Sequence, residues 1–182
     1  MIIILDFDGT IIPSSKTEIL CRKFLRKVGI NSPPRILLVI SEIVDFLRFI
    51  LFKKTKKIVV NKYLAQIIDD EKFTIGILTD RSRCSLCLYL KNLGIDKEKL
   101  AFIQARRSIF DFYPCKLKRR ILTSPKIKPD KRVYAKLILF ADGLGVNIKE
   151  IFVVDDLVTA RNTASKMGFL TAHPDDHQVL PP

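Results

Sequence analysis

Met1, Ile2, Ile3, Ile4, Leu5, Asp6, Phe7, Asp8, Gly9 and Thr10 open the chain, and this stretch decides the fold. The first five residues form an unbroken apolar run with no polar face to offer to water, as a strand buried on both faces does. Strands of that kind make parallel sheets. The run stops at an acid, which puts Asp6 at the carboxyl end of a strand, and Asp8, two residues on, returns to the same side of an extended segment. Similar runs follow at Phe73 to Thr79, Leu100 to Gln104 and Ile151 to Val154, the last ending at Asp155 and Asp156. Between the later strands lie helical patterns: Arg83 to Leu93 stopped by Gly94, Lys131 to Leu144 stopped by Gly145, and Val158 to Met167 stopped by Gly168. The alternation implies an α/β fold, a three-layer Rossmann-like parallel sheet with helices on both faces and right-handed crossovers. Ligands of such sheets bind beyond the carboxyl ends of the strands, where Asp6, Thr79, Asp155 and Asp156 fall.

The stretch from Ser14 to Glu71 breaks the alternation. It reads as helical near Lys16 to Lys27, Arg35 to Phe52 and Val59 to Ile68, so a small α-helical insertion over 14–71 is expected within a core of 1–13 and 72–182. A chain of 182 residues suits one domain with such an insertion. Its 48% hydrophobic content excludes disorder, and the lack of any repeat excludes a solenoid. Within the insertion, Ile36 to Phe52 is apolar except for a narrow stripe of Ser41, Glu42, Asp45 and Arg48 at helical spacing. Most of that helix surface is expected to be covered, inside a helical subdomain or at a dimer contact. The piece is too short and too charged to span a bilayer, and no transmembrane segment is expected. Docking on an anionic membrane, helped by Lys53, Lys54, Lys56 and Lys57, is the alternative use of the same surface.

The 32 Lys and Arg against 19 Asp and Glu give a formal charge of +13, which suits anionic partners. Most of the excess lies between Arg81 and Lys136, where 16 basic residues face 4 acidic ones. The part from Arg106 to Arg120 interleaves Phe110, Phe112 and Tyr113 with basic residues, a composition compatible with a nucleic-acid backbone; the plainer reading is a solvated face around an anion-binding mouth. Four cysteines and no signal peptide point to a reducing, cytoplasmic setting. Cys84 and Cys87 form a CxxC without the further ligands of a zinc set, and core packing is expected for both. His173 and His177 read as surface residues.

Taken in order, Asp6-Phe7-Asp8-Gly9-Thr10 after a buried strand, Thr79-Asp80-Arg81-Ser82 after the next, Lys128-Pro129-Asp130 before a helix and Asp155-Asp156 after another strand resemble the four motifs of the haloacid dehalogenase superfamily. The resemblance covers nearly the whole chain. It implies that Asp6 is a nucleophile forming an aspartyl-phosphate, and that Asp8 protonates the leaving oxygen and then activates water. It further implies that Thr79 binds a phosphate oxygen and that Lys128 neutralises Asp6 and the transferring group. Carboxylate attack on an anionic phosphate needs its repulsion offset, which Mg²⁺ held by neighbouring carboxylates does. Asp6, the backbone carbonyl of Asp8, and Asp155 or Asp156 would suffice as metal ligands. Lys126 is the rival to Lys128; Pro129 and Asp130 at a helix start favour Lys128.

One departure concerns the fourth motif. Many family phosphatases carry GDxxxD there, whereas Asp155 takes the Gly position and Ala160 the last Asp, as in the family's DD variant. That variant puts Asp156 on the metal and Asp155 in support, with the swapped assignment left open. Asp8 matters for reaction class, since family dehalogenases lack a second acid at that position. The insertion over 14–71 falls where family members carry a cap that selects the substrate, and Arg22, Lys23 and Arg26 are candidates to touch its leaving group. The expected function is a Mg²⁺-dependent phosphatase acting on a phosphorylated small molecule. The alternatives are a polynucleotide or nucleotide phosphatase using residues 81–136, and a non-catalytic module for nucleic acid or anionic membrane. The sequence leaves the substrate and the oligomeric state open.

Overall fold

A computed structural model describes residues 1–12, 27, 35–47, 61–95, 99–110, 121–124, 126 and 128–176. Six strands form one sheet: β1 (Ile2–Leu5), β2 (Thr74–Ser82), β3 (Leu100–Arg106), β4 (Leu122–Ser124), β5 (Ile151–Val154) and β6 (Leu170–Ala172). Their order is β4-β3-β2-β1-β5-β6 and every pairing is parallel. β1 lies at the centre, and Leu5 stands opposite Ile77 on one side and Val154 on the other. That register brings the chain beyond β1, β2 and β5 to the same edge of the sheet.

The two-residue period of the strands divides their side chains between two cores. Ile3, Leu5, Ile75 and Ile77 pack with Leu64, Ile67, Leu86 and Leu90 on one face. Ile2, Ile4 and Val153 pack with Leu137, Ala141, Ala164 and Phe169 on the other. All four residues of β1 are buried, which is why its sequence shows no polar alternation. Gly76 lets β2 lie close under its neighbours, since a Cβ there would come within 2.6 Å of Ile4 Cδ1.

The helices are α1 (Arg35–Phe46), α2 (Lys62–Asp69), α3 (Arg83–Leu93), α4 (Ala135–Gly143) and α5 (Val158–Lys166). α3 starts where Ser82 Oγ accepts from Ser85 N and ends at Gly94, whose φ of 68° is left-handed. The pattern over Lys131 to Leu144 resolves into a short 3-10 turn, Lys131–Val133, followed by α4. β2 and β3 run past their apolar stretches, and β4 and β6, three residues each, had no sequence signal of their own.

α1 leaves exposed part of the apolar surface expected to be covered. Glu42 and Asp45 of its polar stripe are buried, while Ile40, Ile43, Val44 and Leu47 are exposed. Of the other expected insertion helices, 48–52, 59–60 and all of Lys16 to Lys27 except the exposed Lys27 lie outside the described residues, as do Lys53, Lys54, Lys56, Lys57, Arg22, Lys23 and Arg26. No helix among the described residues is long and apolar enough to cross a membrane. Cys84 is buried in the core and forms no disulfide, whereas the buried Cys87 is disulfide-bonded.

Candidate functional site

The chain leaves β1 through Asp6, whose N–H still donates to Val154 O at 2.8 Å, so the sheet ladder fixes its backbone. A tight turn follows: Gly9 N–H donates to Ile12 O and Ile12 N–H to Phe7 O. Gly9 has a φ of 81°, and a Cβ on it would lie 2.5 Å from the Asp156 Cγ. Only glycine permits both the turn and this approach. The Asp156 carboxylate thus rests against the backbone of the Asp8 turn, which the sequence spacing alone does not reveal.

Asp6, Asp155 and Asp156 each place a carboxylate oxygen within 4.8 Å of the others. Lys128 enters the group from the loop before the 3-10 turn. Its Nζ lies 2.8 Å from Asp6 Oδ1 and 2.5 Å from Asp155 Oδ2, with all three side chains almost fully buried. Burial works against the Lys128 ammonium, yet Asp155 and Asp6 outweigh it and hold its pKa well above the usual lysine value. Burial drives the Asp6 carboxyl well above the ordinary carboxylate range, against the opposing pull of Lys128, and the Asp155 and Asp8 charges add to the rise.

The donor set fits a hard divalent cation. Three carboxylates against one ammonium leave a net negative charge in a buried place, which an oxygen-seeking ion such as Mg²⁺ would neutralise. The oxygens are not equally available. Asp155 spends Oδ2 on Lys128 and Oδ1 on the Leu157 N–H at 2.9 Å, and its backbone oxygen accepts from Arg161. Asp156 sits at the turn with its carboxylate against Gly9.

Thr79 is buried near the end of β2, two residues past the partner of Leu5, and its Oγ1 accepts from Arg81 N at 3.1 Å. The Lys128 backbone is held by Asp80, whose Oδ1 accepts from Lys128 N at 2.9 Å. Burial pushes the Asp80 carboxyl up to about 6, with Lys128 acting against the rise. Asp8 is not open to the cluster: Arg81 Nε donates to its Oδ2 at 3.0 Å, and Arg81 Nη2 donates to its Oδ1. Thr10 is also buried, and its hydroxyl has no hydrogen-bond partner among the described residues.

The geometry therefore joins Asp6, Lys128, Asp155 and Asp156 directly, with Asp8 and Thr79 at the same sheet edge. Sequence reading gave no role to Asp80 and Arg81, although both lie inside the second motif, and it named Asp45 only as part of the polar stripe of α1. Several cations of the basic stretch are committed to internal pairs: Arg81, Arg106 with Glu42, Lys128, and Arg132 with Asp130. Residues 111–120, its aromatic and basic centre, lie outside the described residues, as does His177. His173, at the surface, lies 3.5 Å from Asp175.

No protein-family model matches the chain, and no curated protein matches it. Solved structures do. The chain is similar to a HAD-family enzyme from Bacteroides thetaiotaomicron in complex with magnesium and inorganic phosphate, at 16% identity and a TM-score of 0.56, over 99% of this chain and 98% of that one. It is similar to a HAD-superfamily hydrolase from Ehrlichia chaffeensis at 15% identity and a TM-score of 0.52, over 93% and 84% of the two chains. It is also similar to the L-2-haloacid dehalogenase from Xanthobacter autotrophicus at 15% identity and a TM-score of 0.51, over 94% and 76%. The chain has the haloacid dehalogenase fold. In this chain the β1, β2 and β5 ends share one edge, which brings Asp6, Thr79, Asp155 and Asp156 there from strands far apart in sequence. A haloacid dehalogenase fold hosts more than one chemistry, a dehalogenase and a phosphate-bound enzyme being among the similar structures, so reaction class rests on the residues.

Proposed function

We propose that this protein is a Mg²⁺-dependent phosphomonoester hydrolase of the haloacid dehalogenase superfamily that works through an aspartyl-phosphate on Asp6, with the insertion over 14–71 as its cap. The observation that carries the reading is Lys128 Nζ held between Asp6 and Asp155 while Asp156 closes the carboxylate group. A buried nucleophilic carboxylate beside a fixed ammonium and a cation-binding acid suits attack on the phosphorus of an anionic phosphate. Asp8 favours phosphate over carbon–halogen chemistry, because only the former needs a second acid to protonate a leaving oxygen.

Asp6, the Asp8 backbone carbonyl and Asp156 would hold Mg²⁺, with Asp155 in support. The ion supplies charge neutralisation between phosphate and nucleophile. Asp6 Oδ attacks phosphorus as the bond to the leaving oxygen breaks, and Asp8 gives that oxygen its proton. Thr79 donates its hydroxyl to a phosphate oxygen, and Lys128 balances the charge on Asp6 and the phosphoryl group. Asp8 then takes a proton from water, the water oxygen attacks phosphorus, and the P–O bond to Asp6 breaks, releasing phosphate and regenerating the carboxylate.

The test is phosphate release from sugar, nucleotide and alkyl monoesters, with Mg²⁺ or EDTA and with Asp6→Asn. Release that needs Mg²⁺ and is lost in a folded Asp6→Asn protein supports the reading. Release that survives the substitution defeats it.

A further inference from the structure

α1 is fastened to the α/β core by two acid–base contacts of the same kind, three residues apart on one helix face. At the first, buried Glu42 accepts from Arg106 Nη2 at 2.9 Å, from Ile109 N at 3.1 Å and from Ser108 Oγ. At the second, buried Asp45 accepts from Tyr89 OH at 3.1 Å, from Ser85 Oγ and from Arg81 Nη1. The two differ in what lies behind the cation. Arg106 ends on the Arg107 and Leu38 carbonyls. Arg81 ends on Asp8, which takes its Nε and Nη2.

One guanidinium thus serves two carboxylates, one from the inserted helix and one from the turn beyond β1. It is fixed in place by more than charge: its Cζ lies 4.2 Å from the Tyr89 ring centroid and 5.8 Å from that of Phe7. Arg81 Nη1 also donates to Ser85 Oγ at 3.1 Å. With the cation immobile, Asp8 holds its Nε and Nη2 and Asp45 its Nη1, and the two acids draw on the same positive charge. A carboxylate gripped by both Nε and Nη2 is poorly placed to hand a proton to another group, so the arrangement bears on what Asp8 does.

We propose that Arg81 is a positioning residue that couples the seating of α1 to the Asp8 carboxylate: Asp45 draws on the cation when α1 is seated and so eases the grip on Asp8, and lifting α1 leaves the cation to Asp8 alone. The consequence for turnover rests on the phosphatase reading, whereas the coupling itself does not. Because such coupling is reciprocal, freeing Arg81 from Asp8 must tighten α1.

The reciprocal effect is measurable without substrate, by amide hydrogen exchange across residues 35–46 in the full chain. Asp8→Asn should slow exchange in α1 about fivefold, within the range for residues sharing one network. In an Arg81→Gln background the same change should alter α1 far less, because the guanidinium that joins the two carboxylates is gone. If either background variant fails to fold, Asp8→Ser and Arg81→Met serve in its place. Unchanged exchange in Asp8→Asn, or an equal effect with and without Arg81, overturns the coupling.

The second measurement compares an alkyl phosphate, whose leaving group needs protonation, with 4-nitrophenyl phosphate, whose leaving group does not. Asp45→Asn should lower kcat for the alkyl ester severalfold more than for the aryl ester, and Glu42→Gln, which loosens α1 equally, should leave the ratio unchanged. Equal ratios in the two variants remove the link to Asp8. A wild-type protein that hydrolyses neither ester defeats the phosphatase reading, and the exchange experiment still decides the coupling.

Discussion

Lys128 Nζ stands 2.8 Å from Asp6 Oδ1 and 2.5 Å from Asp155 Oδ2, and the three side chains are sealed from solvent together. An ammonium in that position does two jobs: it lets two acids share a buried space, and it leaves one acid over for a cation.

Lys128→Met separates those jobs. Without the ammonium two carboxylates face each other unpaired, and breaking such a buried contact costs about 3–5 kcal/mol. A bound divalent ion takes over part of the lost charge balance. In thermal unfolding, Mg²⁺ should therefore raise the melting temperature of Lys128→Met by more than that of wild type. Equal increments would show that the cation binds elsewhere.

Gly9→Ala tests the seat of Asp156. The added Cβ would fall 2.5 Å from the carboxylate at a φ of 81°, so strain of about 1–2 kcal/mol is expected together with displacement of the acid. Mg²⁺ affinity by calorimetry should fall about 10- to 100-fold, the usual effect of disturbing a ligand's support. Circular dichroism should show the fold intact. An unchanged affinity would mean that Asp156 is not a ligand.

Asp80 supplies a pH signature. Its folded carboxyl is raised from the ordinary 3.8 to about 6, chiefly by burial, so between those values the folded chain binds more protons than the unfolded one. Stability contributed by this group is then highest at low pH and is lost as pH rises from about 4 to about 6. The loss is at most about 3 kcal/mol, and less for a partly exposed side chain. Urea unfolding in EDTA should show a shallower fall over that interval for Asp80→Asn, whose amide oxygen can still accept from Lys128 N. Parallel curves would place the titration elsewhere.

The parts of this protein that were legible in its sequence are those where one local rule decides. β1 has no polar face, so only a covered parallel strand accommodates it. The acids ending β1 and β5 are read from where the apolar runs stop. β4 and β6, three residues each, are too short to show a pattern. Asp45 was hidden for a different reason: nothing in the spacing of a helix says which core residue it will meet. Its carboxylate looks like solvent-facing polarity until Arg81 is seen opposite it. Asp80 and Arg81 sat within a recognised motif, but their roles depend on Lys128 and α1, both remote in sequence.

The exposed apolar surface of α1 gives the last expectation. A helix so rich in Ile, Leu and Val suggests apolar burial with its acids in water, and the acids are inside because the basic excess of the chain supplies Arg81 and Arg106 to meet them. Stability should follow the observed orientation. Val44, about half exposed, should tolerate Val44→Gln within about 0.5 kcal/mol, as an ordinary surface substitution does. Glu42→Gln leaves the Arg106 guanidinium short of its counter-charge beside a buried hydroxyl and should cost about 2–3 kcal/mol. Urea unfolding of the two variants measures both. The reverse ranking, with Val44→Gln the more damaging, would show that the apolar face of α1 is the covered one.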